Sequence, residues 1–176
     1  LGGLERVFEV GPAFRAEEHD TYRHLNEFIS FDIEMAFAND DDVMDVQERM
    51  IHHIWKCVAE NDQNLIDIIN QWRGEQEPPL EPISVEVPSL PFPRVEYSDA
   101  IEIIQAAGEK ISWGDDIEAH HADMIAAKYP GFYFLPRWPM SMKPFYIYHN
   151  EDEKGPDGGQ LSRGFDLNYG RDEMCS

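Results

Sequence analysis

Arg6-Val7-Phe8-Glu9-Val10-Gly11-Pro12-Ala13-Phe14-Arg15-Ala16-Glu17 and the run from His24 through Leu25-Asn26-Glu27-Phe28-Ile29-Ser30-Phe31-Asp32-Ile33-Glu34-Met35-Ala36-Phe37 decide the fold of this chain. Alternation puts Val7 and Glu9 on one side of a strand and Phe8 and Val10 on the other, with Gly11-Pro12 as a punctuation mark. A second short strand is expected over 13–16, a polar turn over 17–24, and a long β-rich strand over 25–37, which together predict a long hairpin with a charged tip. Arg15 and Glu17 then share one face, and Phe28, Asp32 and Glu34 share another. An exposed hairpin would turn such charges to solvent. The mixture nonetheless has a chemistry: a planar guanidinium suits phosphate, an aromatic face suits a purine, and carboxylates suit an amine or Mg²⁺.

Outward from the hairpin, Asn39-Asp40-Asp41-Asp42 supplies a helix cap and an acidic first turn. Val43, Val46, Met50, Ile54, Cys57 and Val58 follow at helical spacing, predicting a helix over 41–60. Residues 61–72 continue it or begin a second helix, with Leu65, Ile68, Ile69 and Trp72 on its packing face. The proline-rich stretch 74–93 reads as an extended connection or edge strand. A short helix opens at Tyr97-Ser98-Asp99, with Ser98 as cap, and closes at Gly108; another is expected over 115–129. Strands are expected over 132–135, 144–148 and 165–169, with a mobile acidic, Gly-rich loop over 152–164. Helices and largely antiparallel strands in separate runs give an α+β class, a largely antiparallel sheet flanked by helices. Neither a P-loop nor a dinucleotide fingerprint is present.

The chain has 176 residues, one domain's length, and 42% are hydrophobic, enough to bury a core. No apolar run approaches the roughly 20 residues that cross a bilayer, so no membrane partner is expected. Cys57 and Cys175 are far apart and show neither CxxC nor zinc spacing, which predicts a cytoplasmic setting. Against 35 acidic residues stand 14 lysines and arginines, a net charge of −21, which argues against a general nucleic-acid-binding surface. Carboxylates dispersed along a lysine-poor chain fit a protein from concentrated salt, where the Debye length shrinks to about 3 Å at 1 M; an ordinary acidic protein is the alternative. The opening Leu1-Gly2-Gly3, without an initiator Met, suggests a piece of a longer protein.

Residues 3–17, Tyr22-Arg23-His24-Leu25-Asn26-Glu27-Phe28 and Asp32-Ile33-Glu34-Met35-Ala36-Phe37 resemble motif 2 of the class II aminoacyl-tRNA synthetases, most closely the aspartyl branch of archaeal and eukaryotic type. The likeness extends through Trp113-Gly114-Asp115-Asp116, Trp138-Pro139, Lys143-Pro144-Phe145-Tyr146 and Phe165-Asp166-Leu167. It implies that Arg15 is catalytic and holds the ATP α-phosphate, that Glu17 positions ATP or its adenine edge, and that Arg23 and His24 meet the β- and γ-phosphates or pair with local carboxylates. It further implies that Phe28 stacks under adenine, Asp32 binds the amino acid's ammonium, and Glu34 supports the floor. Glu173 and Ser176 match the family's metal-binding Glu and the Ser three residues later, which hold Mg²⁺ and, through Ser176, contact the amino-acid side of the site. The chain departs from the pattern with Gly170-Arg171-Asp172 where the family usually has Arg-Gly.

The resemblance implies an aspartate-tRNA ligase using ATP and Mg²⁺, with aspartate and tRNA(Asp) as substrates, tRNA(Asn) open as a second, and a homodimer for the full enzyme. Asparagine-tRNA ligase, or a synthetase-like module that binds without catalysis, are the alternatives; the asparaginyl branch tends to carry Glu-Pro-Glu near Asp32-Ile33-Glu34. Residues 1–176 would be part of a catalytic domain. Motif 1 and the anticodon-binding domain would precede it and motif 3 would follow, so the chain alone is expected to show little or no aminoacylation. His52-His53 and His120-His121 are adjacent in helices, where neighbours point about 100° apart, which predicts that neither pair shares a metal. Cys57 reads as packing, Asp40-Asp41-Asp42 as a helix start, and Lys143 as a surface residue or a contact to substrate phosphate or carboxylate.

Overall fold

The computed structural model describes residues 2–16, 18 and 25–175, which fall into two compact units, Leu1–Val43 and Met44–Ser176. In the first, β1 (Arg6–Phe14) and β2 (Glu27–Met35) form the expected antiparallel ribbon. Gly11-Pro12 does not break it: β1 runs straight through, with Pro12 opposite Ile29. In a two-stranded ribbon every strand is an edge, where a residue without an N–H is tolerated. The ladder extends through Arg15 N–H to Asn26 O at 2.9 Å and Ala36 N–H to Glu5 O at 2.8 Å.

Helix α1 (Asp40–Asn61) starts as its sequence dictates. The Asp42 N–H donates to Asn39 Oδ1 and the Asn39 N–H to Asp42 Oδ2, both at 2.9 Å, a reciprocal cap that accounts for the aspartate cluster. Its buried face, however, is Met44, Glu48 and Ile51 with Trp55 packed beside them, and Ile54 on the expected face is exposed. Glu48 hides the true stripe from a reading of apolar periodicity, because it is buried only by virtue of its partners. α2 (Gln63–Gly74) is a separate helix that buries Ile66, while Leu65, Ile68, Ile69 and Trp72 remain exposed. The segment 75–91 is irregular, as its prolines require.

α3 (Tyr97–Ala106) buries Tyr97, Ala100, Ile101 and Ile104, a clean helical stripe. Ser98 lies inside this helix; the cap position is Glu96, and no side chain bonds there. α4 (Ala119–Lys128) begins four residues later than expected. Asp115 is held in the preceding turn, its carboxylate accepting the Ser112 N–H at 2.8 Å and its carbonyl the Tyr97 hydroxyl at 2.5 Å.

β3 (Phe132–Pro136), β6 (Phe165–Tyr169) and β7 (Asp172–Cys175) make an antiparallel sheet in the order β3-β6-β7. Alternation along β3 sends Tyr133 and Leu135 into one core with α3, α4 and Trp138, and Phe132 and Phe134 into another with α1, Phe92 and Leu167. The sheet therefore has a core on each face. Residues 144–148 form a turn rather than a strand, and the loop expected over 152–164 instead carries the end of β4 (His149–Lys154) and the whole of β5 (Gln160–Ser162). Its acidic residues are structural: Asp157 accepts the Gly159 N–H at 2.7 Å, and Glu153 accepts from Arg137 at 2.7 Å and Asn150 at 2.9 Å. Helices and antiparallel strands thus give the expected α+β class, with the strands of the described residues shared among three small sheets. Among the described residues, no helix is long and apolar enough to cross a membrane.

Glu48 ties this unit together, accepting the Phe92 N–H at 2.9 Å and pairing with Arg94 at 2.5 Å. Glu48→Ala leaves the buried Phe92 amide without its acceptor and Arg94 with only Phe92 O at 2.8 Å and Asp45 at 3.5 Å, and unfolding measured by denaturant should show a loss of about 3 kcal/mol.

Candidate active site

Register turns the alternation of the ribbon into a surface. Val7 pairs with Glu34, Glu9 with Asp32, Gly11 with Ser30 and Ala13 with Phe28, and Arg15 continues the ladder against Asn26. Paired residues point to the same side, so Arg15, Phe28, Asp32 and Glu34 share one face, where sequence alternation had separated Arg15 from the other three. The opposite face is apolar: Phe8 packs on Phe31 at 5.9 Å, beside Val10, Phe14, Ile29 and Ile33.

The polar face is graded. At one end the Arg15 guanidinium lies over the Phe28 ring, 5.2 Å from its centroid. At the other, Glu9, Asp32 and Glu34 gather three carboxylates, with Ser30 Oγ donating to Asp32 at 3.0 Å. Glu9 was not singled out in the sequence because its membership depends on pairing with Asp32. Between the ends stand only Gly11, Ala13 and Ser30. A Cβ on Gly11 would meet nothing closer than 3.6 Å, so the glycine leaves open floor rather than relieving a clash. A cation at one end and anions at the other, separated by a shallow floor, can hold a phosphate and an amine on one surface. Glu17, Arg23, His24 and Ser176, also expected at the site, lie outside the described residues.

In the second unit Glu173, on β7, pairs with Asn168 of β6, two residues from Asp166. Burial raises the Asp166 carboxyl to about 6; the Lys143 ammonium opposes that rise, and the Glu173 charge adds to it. Lys143 reaches Asp166 at 3.7 Å while lying 4.3 Å over the Trp138 ring, so it belongs to this cluster and not to the open surface. The Asn168 amide nitrogen is buried and finds no hydrogen-bond partner among the described residues. Two interacting carboxylates, one of them buried and under-compensated, form a donor set suited to a hard divalent cation, so Asp166 joins Glu173 as a candidate Mg²⁺ ligand. The sequence signal for Asp166 was its place two residues before Asn168 on a strand antiparallel to that of Glu173. Cys175, beside them, takes a hydrogen bond from Gln47 and is raised to about 11, mainly by burial, so it stays an unreactive thiol.

The histidines divide. His52 Nδ1 lies 2.8 Å from Pro88 O and His53 approaches Cys57 at 3.5 Å, so this pair diverges as expected. His120 and His121 do not: their ring centroids are 3.9 Å apart, because both side chains fold back over the first turn of α4.

Residues 1–176 match the family described as tRNA synthetases class II (D, K and N), and the chain belongs to that family. It is 42% identical to an aspartate–tRNA(Asp/Asn) ligase of Archaeoglobus fulgidus over 99% of this chain and 36% of that protein. It is 40% identical to an aspartate–tRNA(Asp) ligase of Thermoplasma acidophilum over 99% of this chain and 37% of that protein. Among solved structures, the aspartyl-tRNA synthetase of Entamoeba histolytica superposes with a TM-score of 0.79 at 32% identity, covering 98% of this chain and 34% of that one. The chain thus spans little more than a third of the curated relatives it matches.

Asp166 yields a pH test. Its folded-state value of about 6 lies above the ordinary 3.8, so stability present below pH 4 is lost as pH rises through 6. The difference corresponds to about 3 kcal/mol. Without divalent cations, the stability of Asp166→Asn relative to the unsubstituted chain should rise by about that amount between pH 4 and pH 7.5; a difference that does not change with pH would remove buried charge as the cause.

Proposed function

We propose that the protein containing this chain is an aspartate-tRNA ligase: it joins aspartate to ATP, giving aspartyl-adenylate and pyrophosphate, then transfers the aspartyl group to a tRNA hydroxyl with release of AMP. The single observation that carries the reading is the graded face of the ribbon, with Arg15 and Phe28 at one end and Asp32 and Glu34 at the other. Arg15 would bind the α-phosphate and stabilise the charge that grows there as the aspartate carboxylate attacks, a task of positioning and electrostatics. Phe28 would stack on adenine once the guanidinium moves to phosphate, Asp32 would hold the ammonium, and Glu34 would support it. Glu17, Arg23 and His24 are assigned to ATP by the family pattern alone.

Glu173 and Asp166, with Ser176 by the same pattern, would hold Mg²⁺, which supplies positive charge between the ATP phosphates. Lys143 and the free donor of Asn168 would offer further contacts to anionic oxygen. Relatives named for tRNA(Asp) alone and for tRNA(Asp/Asn) are similar to this chain at 40% and 42% identity, so charging of tRNA(Asn) is a property to be measured. The names of these relatives favour aspartate over asparagine. A catalytic-domain assignment for residues 1–176, a homodimer and a cytoplasmic location go with the same reading.

Pyrophosphate exchange by the intact protein tests it: exchange should require aspartate and fail with asparagine, and exchange with neither would sink the enzyme reading. Arg15→Ala, an exposed substitution, should lower aspartate-dependent exchange by a factor on the order of 10² to 10³ without loss of fold.

The charge of −21 belongs to the proposal too. A tRNA polyanion must be met by cationic groups outside this acidic surface, and we attribute the acidity to life in concentrated salt. Molar KCl screens the carboxylates and should raise the melting temperature over that in dilute buffer; a melting temperature indifferent to salt would remove the halophilic explanation.

A further inference from the structure

Among the described residues, and apart from the groups assigned above, a set of metal-ligating side chains converges without a role. One ligand atom from each of Glu109, His120 and His121 lies within 4.8 Å of the others. We propose that these three residues form a binding site for a divalent transition ion of the Zn²⁺ class, which would tie the turn after α3 to the first turn of α4.

The backbone on both sides is fixed before any ion arrives. Gly108, at φ +100°, ends α3 in the left-handed conformation, and the Glu109 N–H closes back on Ile104 O at 3.3 Å. On the other side, Glu118 and His121 form a reciprocal cap: the Glu118 side chain accepts the His121 N–H, and the Glu118 N–H points at His121 Nδ1 at 3.2 Å. His121 is buried, whereas Glu109 and His120 are exposed and free to adjust. Four-coordinate zinc places its ligand atoms about 3.4 Å apart, so atoms that lie within 4.8 Å of one another need to close by no more than about 1.4 Å, which rotamer adjustment of the two exposed side chains can supply.

The donor set selects the ion. Two imidazoles and one carboxylate suit Zn²⁺, Ni²⁺ or Cu²⁺, whereas Mg²⁺ prefers oxygen alone, the donor set proposed for it at Asp166 and Glu173. His120 has the supporting contact such sites use, its Nδ1 lying 3.5 Å from Glu118 Oε2, which leaves Nε2 for the metal. His121 sets the limit on affinity: its Nδ1 already accepts the Glu118 amide, so capture of this imidazole competes with the helix cap. Exposure of the other two ligands leaves the fourth position to water.

Zn²⁺ titrated calorimetrically into the intact protein, with excess Mg²⁺ occupying the oxygen sites, tests the proposal. The unsubstituted protein should take up one more Zn²⁺ than a Glu109→Gln, His120→Ala double variant. Each single variant should bind that ion at least tenfold more weakly. Neither substituted side chain makes the α4 cap, and equal melting temperatures without Zn²⁺ would verify an unchanged fold. His53→Ala, which removes the imidazole near Cys57, should leave the ion in place. Equal stoichiometry and affinity in the folded double variant, or no Zn²⁺ uptake by the unsubstituted protein, would overturn the assignment.

Discussion

The buried carboxylate of Glu48 is the contact on which the larger unit depends. It sits in the middle of the α1 stripe, where a charge is tolerated only because the Arg94 guanidinium and the Phe92 amide both reach it. Arg94 in turn lies 4.5 Å over the Phe134 ring. These bonds fix the 92–95 segment beside β3, where the Phe134 N–H donates to Pro93 O at 2.8 Å and the Val95 N–H to Phe134 O at 2.9 Å. The edge of a fully buried strand is satisfied in this way. β3 then supports β6, and β6 presents Asp166 and Asn168 on one face and Leu167 to the core on the other. The position of the candidate cation site is thus inherited from a salt bridge on the far side of the sheet.

Glu48 and Asp166 are both buried carboxylates, and the contrast between them separates structure from function. Glu48 has a guanidinium and an amide donor; its charge is compensated within the fold. Asp166 has one ammonium at 3.7 Å and a contact to the Trp138 indole, which do not offset its burial and the Glu173 carboxylate acting against it, so its value stays raised. Such under-compensated charge is expected where a ligand completes the balance. The buried donor of Asn168 on the same strand has the same character with opposite polarity.

Much of this was legible in the sequence, and the failures share a cause. The hairpin, the Asn39 cap and the α3 stripe depend on neighbours within a few residues, so local pattern suffices. What failed depended on partners distant in sequence. The α1 stripe was misplaced because Glu48 reads as polar until Arg94 is seen, and α4 was started early because Asp115 is taken up by Ser112 and Tyr97. The β4–β5 hairpin was read as a loop because its acidic residues carry out turn and ion-pair duties. At the site, Arg15, Phe28 and Asp32 were visible as types, but only register shows that they share a face, and only register adds Glu9. His120 and His121 failed for a further reason: the 100° rule fixes Cα–Cβ directions, whereas long side chains at a helix start can converge.

Gly11-Pro12 shows how one dipeptide can carry two meanings. As local chemistry it reads as a stop, yet β1 continues through it, because a ribbon edge can accept a proline. Its role is then set by the face. Gly11 points to the polar side and contributes no side chain, and opposite it stands only Ser30, with Ala13 beside them. A Cβ at Gly11 would meet nothing nearer than Glu9 Oε1 at 3.6 Å among the described residues, so packing at that atom does not require the glycine. Its consequence is a low floor between the Arg15 end and the Asp32 end, which leaves room for a molecule that spans them. The absence of a side chain at Gly11 is therefore as much a part of the candidate site as the guanidinium and the carboxylates that bound it.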